Sequence, residues 1–102
     1  MLDVLAGTAD LNVKTQLDRF IASVHEEALR VSAEEVMVDL RQLEFMNSSC
    51  LKTFVWWITV VQDLAPGTGY RITFLSNPSM YWQRRSLHAL ACLATNLVSV
   101  QV

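Results

Sequence analysis

This chain has no excess charge of either sign, no long apolar run and few cysteines, and each shortage closes off a class of function. Eight Lys and Arg stand against ten Asp and Glu, a formal charge of −2, so no basic field gathers the phosphates of a nucleic acid. The longest nearly unbroken apolar run, Phe54 to Val61, contains Thr59 and is far shorter than the roughly 20 residues a spanning helix needs. No membrane insertion is expected. Met1-Leu2-Asp3-Val4 carries an acid where a secretory signal carries Lys or Arg, which points to the cytoplasm. Cys50 and Cys92 stand without a C-x-x-C or a His/Cys cluster, so they read as free thiols, with neither a disulfide framework nor a zinc site. Three glycines and two prolines leave no linker. With 52% hydrophobic residues in 102, one domain over residues 1–102 is expected.

What is present alternates in type along the chain. Leu2 to Ala6 is a short apolar strand ended by Gly7-Thr8. From about Asn12 to Arg30, Leu17, Phe20, Ile21, Val24 and Ala28 recur at helical spacing, which predicts an amphipathic helix. Glu35 to Leu40 reads as a buried strand, followed by a link over Arg41 to Met46. Asn47 suits the N-cap of a helix running from Ser48 to about Leu64 and stopped by Pro66-Gly67-Thr68-Gly69. Tyr70 to Leu75 is the next strand, and Asn77-Pro78 is expected to cap a third helix with inner face Leu87, Leu90, Ala91 and Ala94. Leu97 to Val102 ends the chain as a strand. The order β-α-β-α-β-α-β implies an α/β domain with a mostly parallel, four-stranded sheet and helices packed on it.

The middle helix carries the most information. Projected at 100° per residue, it places Cys50, Leu51, Phe54, Trp57, Ile58, Val61 and Leu64 on one face, as core. Lys52, Trp56, Thr59 and Asp63 lie opposite, with Ser48 and Ser49 at the N-terminal edge. A wet Trp56 among polar neighbours has the composition of a partner-binding patch; the alternative puts it under a neighbouring loop or helix. The free N–H groups of a helix start favour an anion, including a phosphate on either serine. Ser in a first helical turn is equally a matter of local hydrogen bonding. Tyr81, Arg84, Arg85 and His88 form a basic, aromatic patch on the third helix, by default a solvated face; if helices two and three are neighbours, it extends the surface around Trp56 and its arginines can pair with acidic groups of a partner.

Enzyme templates fail one by one. Gly67-Thr68-Gly69 follows a helix and precedes a strand, the reverse of a dinucleotide fingerprint, so no cofactor is expected. No G-x-S-x-G surrounds either serine, and Trp56 stands where a Cys-x5-Arg phosphatase loop would place Arg after Cys50. Cys50, although near a helix start, lies on the core face. His25 and His88 lie among charged neighbours and read as solvated. Asp39 ends a strand, yet Asp10 stands alone, without the acidic pair of a phosphoaspartate receiver.

Val36-Met37-Val38-Asp39-Leu40, then Leu43-Glu44-Phe45-Met46-Asn47-Ser48-Ser49-Cys50-Leu51, resembles the signature of STAS domains, the anti-sigma factor antagonist family. In that family a strand ending in Asp-Leu leads to a D-S-S-G or D-[ST]-x-G helix start. Leu5-Ala6-Gly7-Thr8-Ala9-Asp10 is similar to its strand ending in G-x-[LF]-D. The resemblance implies a STAS-like fold and a non-enzymatic partner switch in bacterial transcriptional signalling. Ser48, or alternatively Ser49, is then the phosphorylated residue, and Asn47, Ser48, Ser49, Lys52, Trp56, Thr59, Arg84 and Arg85 the partner-binding set. The implied partners are an anti-sigma factor or serine kinase and a cognate phosphatase. Asn47 stands in place of the family's Asp, and Cys50 in place of its Gly. These departures keep open a constitutive accessory subunit docking on an ABC-type transport ATPase. The family's first strand and C-terminal helix find no counterpart, which fits either a shortened chain or a minimal variant whose exposed sheet edge pairs with another copy as a homodimer.

Overall fold

The computed structural model describes residues 2–9, for which only the backbone is described, together with residues 14–65 and 67–102. The elements are β1 (Leu2–Ala9), α1 (Lys14–Arg30), β2 (Glu35–Met46), α2 (Ser48–Gln62), β3 (Arg71–Leu75), α3 (Tyr81–Leu93) and β4 (Val98–Gln101). The chain is a small α/β domain. Strands β2, β3 and β4 run parallel, in register Val36↔Ile72↔Val98, and the backbone of β1 pairs in parallel with β2 to give the order β1-β2-β3-β4.

Each strand pairs with the next one in the chain, and right-handed crossovers then carry all three helices to the same side of the sheet. One core follows. Leu17, Ile21, Val24 and Ala28 of α1 meet Val36, Val38 and Leu40 of β2 and Ile72 and Phe74 of β3 in a single buried cluster with Phe54, Trp57 and Ile58 of α2 and Leu87 and Leu90 of α3. Alternate strand positions line the other face, where the Thr73 hydroxyl donates to Glu35 Oε2 at 2.7 Å and lies 3.0 Å from Ser99 Oγ.

Several boundaries differ from the sequence reading: β3 starts at Arg71 and not Tyr70, and β4 spans Val98–Gln101 and not Leu97 to Val102, the ladder pairs starting and stopping at those residues. Gly7-Thr8 does not end β1, which continues to Ala9, and the expected link Arg41 to Met46 belongs to β2. The cause is common to both: β1 and β2 stay paired through register shifts between Val4 and Ala6 and between Gly7 and Thr8. Bulges break the period-two pattern that reveals a strand. Asn77 caps a turn instead of a helix. Its Oδ1 accepts from Ser79 N at 2.9 Å and its carbonyl from Met80 N at 3.0 Å, so α3 starts three residues later than expected, after Met80. The helix α2 ends at Gln62, not Leu64, and Gly67 makes the following turn at φ +85°, a region glycine enters without steric cost. The expected helix start at Asn12 and stop at Pro66 lie outside the described residues.

Gln83 is fully buried on the inner face of α3. Its Nε2 donates to Leu40 O at 2.6 Å and Leu43 O at 3.1 Å, and its Oε1 accepts from Asn77 N at 2.8 Å. The amide thereby satisfies backbone groups in the irregular part of β2 and in the β3–α3 turn, and fixes the segment that delivers Asn47 to the head of α2. Gln83→Leu keeps the volume and orphans three buried backbone groups. It should cost about 3 kcal/mol and lower Tm by at least about 10 °C in thermal unfolding, whereas Tyr81→Ala, at an exposed position, should leave Tm nearly unchanged.

Candidate functional site

The head of α2 is built by Asn47. Its backbone is extended, at φ −79° and ψ 169°, and its side-chain oxygen accepts from Cys50 N at 2.9 Å while its carbonyl accepts from Leu51 N at 3.0 Å. This cap occupies one of the free N–H groups of the first turn and leaves those of Ser48 and Ser49 without a side-chain cap. Ser48 is exposed and Ser49 half-buried, and neither hydroxyl bonds to a described residue. Lys52, Trp56 and Thr59 follow at spacings of four, four and three from Ser48, all exposed, so they form one stripe along the helix. Trp56 is 48% accessible. The opposite face is core as expected, with Leu51 and Leu64 only half-buried.

The stripe borders α1. Lys14, Asp18, Ala22, Lys52, Thr53 and Trp56 line a groove of about 380 Å³. Thr53, buried and not anticipated from the projection, donates its hydroxyl to Asp18 Oδ1, and Lys14 Nζ sits 2.9 Å from Asp18 Oδ2. These two partners, Thr53 first, hold the Asp18 carboxyl below the usual carboxylate range. Lys14 already has a counter-charge in Asp18; Lys52 carries no such ion pair among the described residues. The groove therefore offers a cation beside an indole.

Arg84 and Arg85 are exposed on α3, but Arg84 does not extend the Trp56 surface. Trp56 borders the α1 side of α2, whereas Arg84 lines a separate groove of about 290 Å³ with Ser76, Gln83, His88 and Val100, between α3 and the end of β4. A third groove, of about 550 Å³, is lined by Asp39, Arg41, Gln42, Ser76 and Asn77. Arg41 forks onto Asp39 at 2.9 and 2.7 Å, its backbone N–H adds a bond at 3.0 Å, and the side-chain contact is the main cause of a lowered Asp39 pKa. The two charges cancel there.

His25, expected to be solvated, is half-buried instead. Tyr70 Oη lies 2.6 Å from His25 Nδ1 and accepts from Trp57 Nε1 at 2.6 Å. Burial pushes the phenol up to about 12, so it stays protonated, and with the indole occupying one lone pair its proton goes to Nδ1 of a neutral imidazole. Burial likewise lowers the His25 pKa. His88 is exposed, with Nε2 3.5 Å from Cys92 Sγ. Cys50 is buried and Cys92 exposed. Among the described residues, no three His, Cys, Asp or Glu side chains gather as a metal cluster, and no helix is long and apolar enough to cross a membrane.

Compared with protein-family models, curated proteins and solved structures, the chain matches none.

The burial of His25 sets a pH window. A histidine whose folded pKa lies below its unfolded value of about 6.5 binds more protons when unfolded, so its contribution is complete above pH 6.5 and is lost as pH falls through the folded value. Asp18 and Asp39, with lowered carboxyl values, lose theirs only below about pH 4. Urea unfolding should therefore show stability falling from pH 7 to pH 5, and His25→Gln should flatten that step.

Proposed function

We propose that this domain is a non-enzymatic regulatory interaction module of the STAS type, a partner switch controlled by phosphorylation of Ser48. The observation that carries the reading is the exposed Ser48 hydroxyl, unbonded among the described residues, at the capped head of α2 and at the foot of the stripe of Lys52, Trp56 and Thr59. The α/β core with helices on one sheet face, and the motif from Val36 to Leu51, agree with that family. The unmodified domain binds an anti-sigma factor or serine kinase through the head of α2, and a cognate phosphatase resets it. The setting is the bacterial cytoplasm.

The physics of such a switch is local. A phosphate adds about −1.5 to −2 charges and would be tolerated by the helix it sits on, whose first N–H groups and dipole favour an anion. Ser48 and Trp56 are separated by about 12 Å along the helix axis, at 1.5 Å per residue. A standard interface of about 800 Å² per partner is about 30 Å across, so one footprint covers both. Phosphate would then have to be desolvated next to the indole, and binding would fail without unfolding. Arg84, in a different groove, and Arg85, exposed beside it on α3, belong to this interface only if a partner wraps α3 as well.

A second reading has its own observation. Asn47 is consumed by capping and Cys50 is fully buried, so the two departures from the family motif serve structure alone. That suits a constitutive accessory subunit of a transport ATPase. Affinity capture from native cells with wild type and Ser48→Asp, combined with mass spectrometry of Ser48 and Ser49, separates the two. A serine kinase or phosphatase held by the wild type and lost by the variant supports the switch; an ATPase retained by both, with no phosphate on either serine, overturns it. Ser48→Asp should keep Tm within about 5 °C, because an acid at the helix start is worth only about 0.3–1 kcal/mol. Trp56→Ala should weaken the captured complex by more than about 2 kcal/mol in a titration.

A further inference from the structure

His88 and Cys92 stand one turn apart on α3, both exposed, with Nε2 and Sγ separated by 3.5 Å. A tetrahedral zinc ion with bonds of about 2.05 Å to nitrogen and about 2.3 Å to sulfur holds those two atoms about 3.6 Å apart. The separation already present is the one a single cation requires. Positions i and i+4 of a helix are the same arrangement by which paired ligands of helical zinc motifs grip one metal from one face. We propose that His88 and Cys92 form half of a thiophilic divalent-cation site, completed by the same pair from a second copy of the chain.

The second copy follows from ligand number and charge. A closed zinc site takes four protein ligands, and no third His, Cys, Asp or Glu joins this pair among the described residues. A half-site on one chain leaves a net charge of +1 on the metal–thiolate unit. Two thiolates and two neutral imidazoles cancel the charge of the ion, which is what burial in an interface demands. Leu93, next to Cys92 and 51% accessible, supplies apolar surface to cover around the metal. Arg84 and Arg85 lie four and three residues before His88, on the N-terminal side of the pair, so a two-fold axis through the site, with the helices crossing, carries the two arginine pairs away from each other. On binding, the Cys92 S–H bond breaks as the sulfur–metal bond forms and its proton leaves to solvent; the His88 Nε2 lone pair makes the other bond while Nδ1 carries the ring proton. This surface is distinct from the Trp56 groove and does not depend on the partner switch.

Cobalt(II) tests it on the reduced, chelator-treated protein. The expected result is a thiolate-to-cobalt charge-transfer band with the visible spectrum of a tetrahedral ion, saturating at one metal per two chains, with elution moving to twice the monomer mass. Zinc should bleach the spectrum and keep the dimer. Cys92→Ser should abolish the band and His88→Ala weaken it severely, with unfolding curves unchanged without metal because both residues are exposed. Absence of the band at a large excess of cobalt, or its persistence in Cys92→Ser, overturns the site. A band saturating at one metal per chain on a monomer overturns the second copy.

Discussion

Because each strand pairs with its sequence neighbour and every crossover turns the same way, all three helices are stacked on a single sheet face, and α2 has a helix on either side. That constraint decides what each residue of α2 does. Phe54, Trp57 and Ile58 fill the core, Thr53 is drawn into the contact with Asp18 of α1, and only the outermost stripe stays in water. The helix that bears the candidate site is thus also the centre of the packing. Its exposed stripe has a rigid support, and a ligand meeting it does not have to order it first.

The segment before α2 is held differently. In the far half of β2 the alternation breaks down, and Gln83 takes over where ladder geometry falters, bonding two β2 carbonyls from the neighbouring helix. A buried amide with all its partners in place is worth more to the precision of this region than an apolar side chain of the same size, because it specifies orientation as well as contact. The cap at Asn47 inherits that precision.

The regular parts of the fold were legible in the sequence because burial on one face leaves a period. The stripe of α1, the inner strands and the split of α2 into core and solvent faces all follow from spacing. What escaped has physical causes. Bulged pairing of β1 with β2 erased the strand signal over Arg41 to Met46, and an Asx turn at Asn77 looks in sequence like a helix cap. Polar residues inside the core were harder still: Gln83 and Thr53 occupy apolar positions of their helical stripes, at four before Leu87 and four before Trp57, and that mismatch was the available signal. His25 was misplaced because its partner, Tyr70, is remote in sequence. At the site itself, the residues from Asn47 to Thr59 were legible from one helix, whereas the separation of Arg84 from Trp56 depends on which flank of α2 each neighbour covers, a matter of tertiary placement.

The adjacent indoles of Trp56 and Trp57 occupy opposite environments, one half in water and the other fully enclosed with its N–H bound to a phenol. The exposed indole is expected to emit to the red of the enclosed one, with the half-buried Trp82 as a third emitter between them. With Trp82 replaced by Phe, these neighbouring positions would leave two built-in optical probes, one facing whatever docks on α2 and one reporting the integrity of the interior.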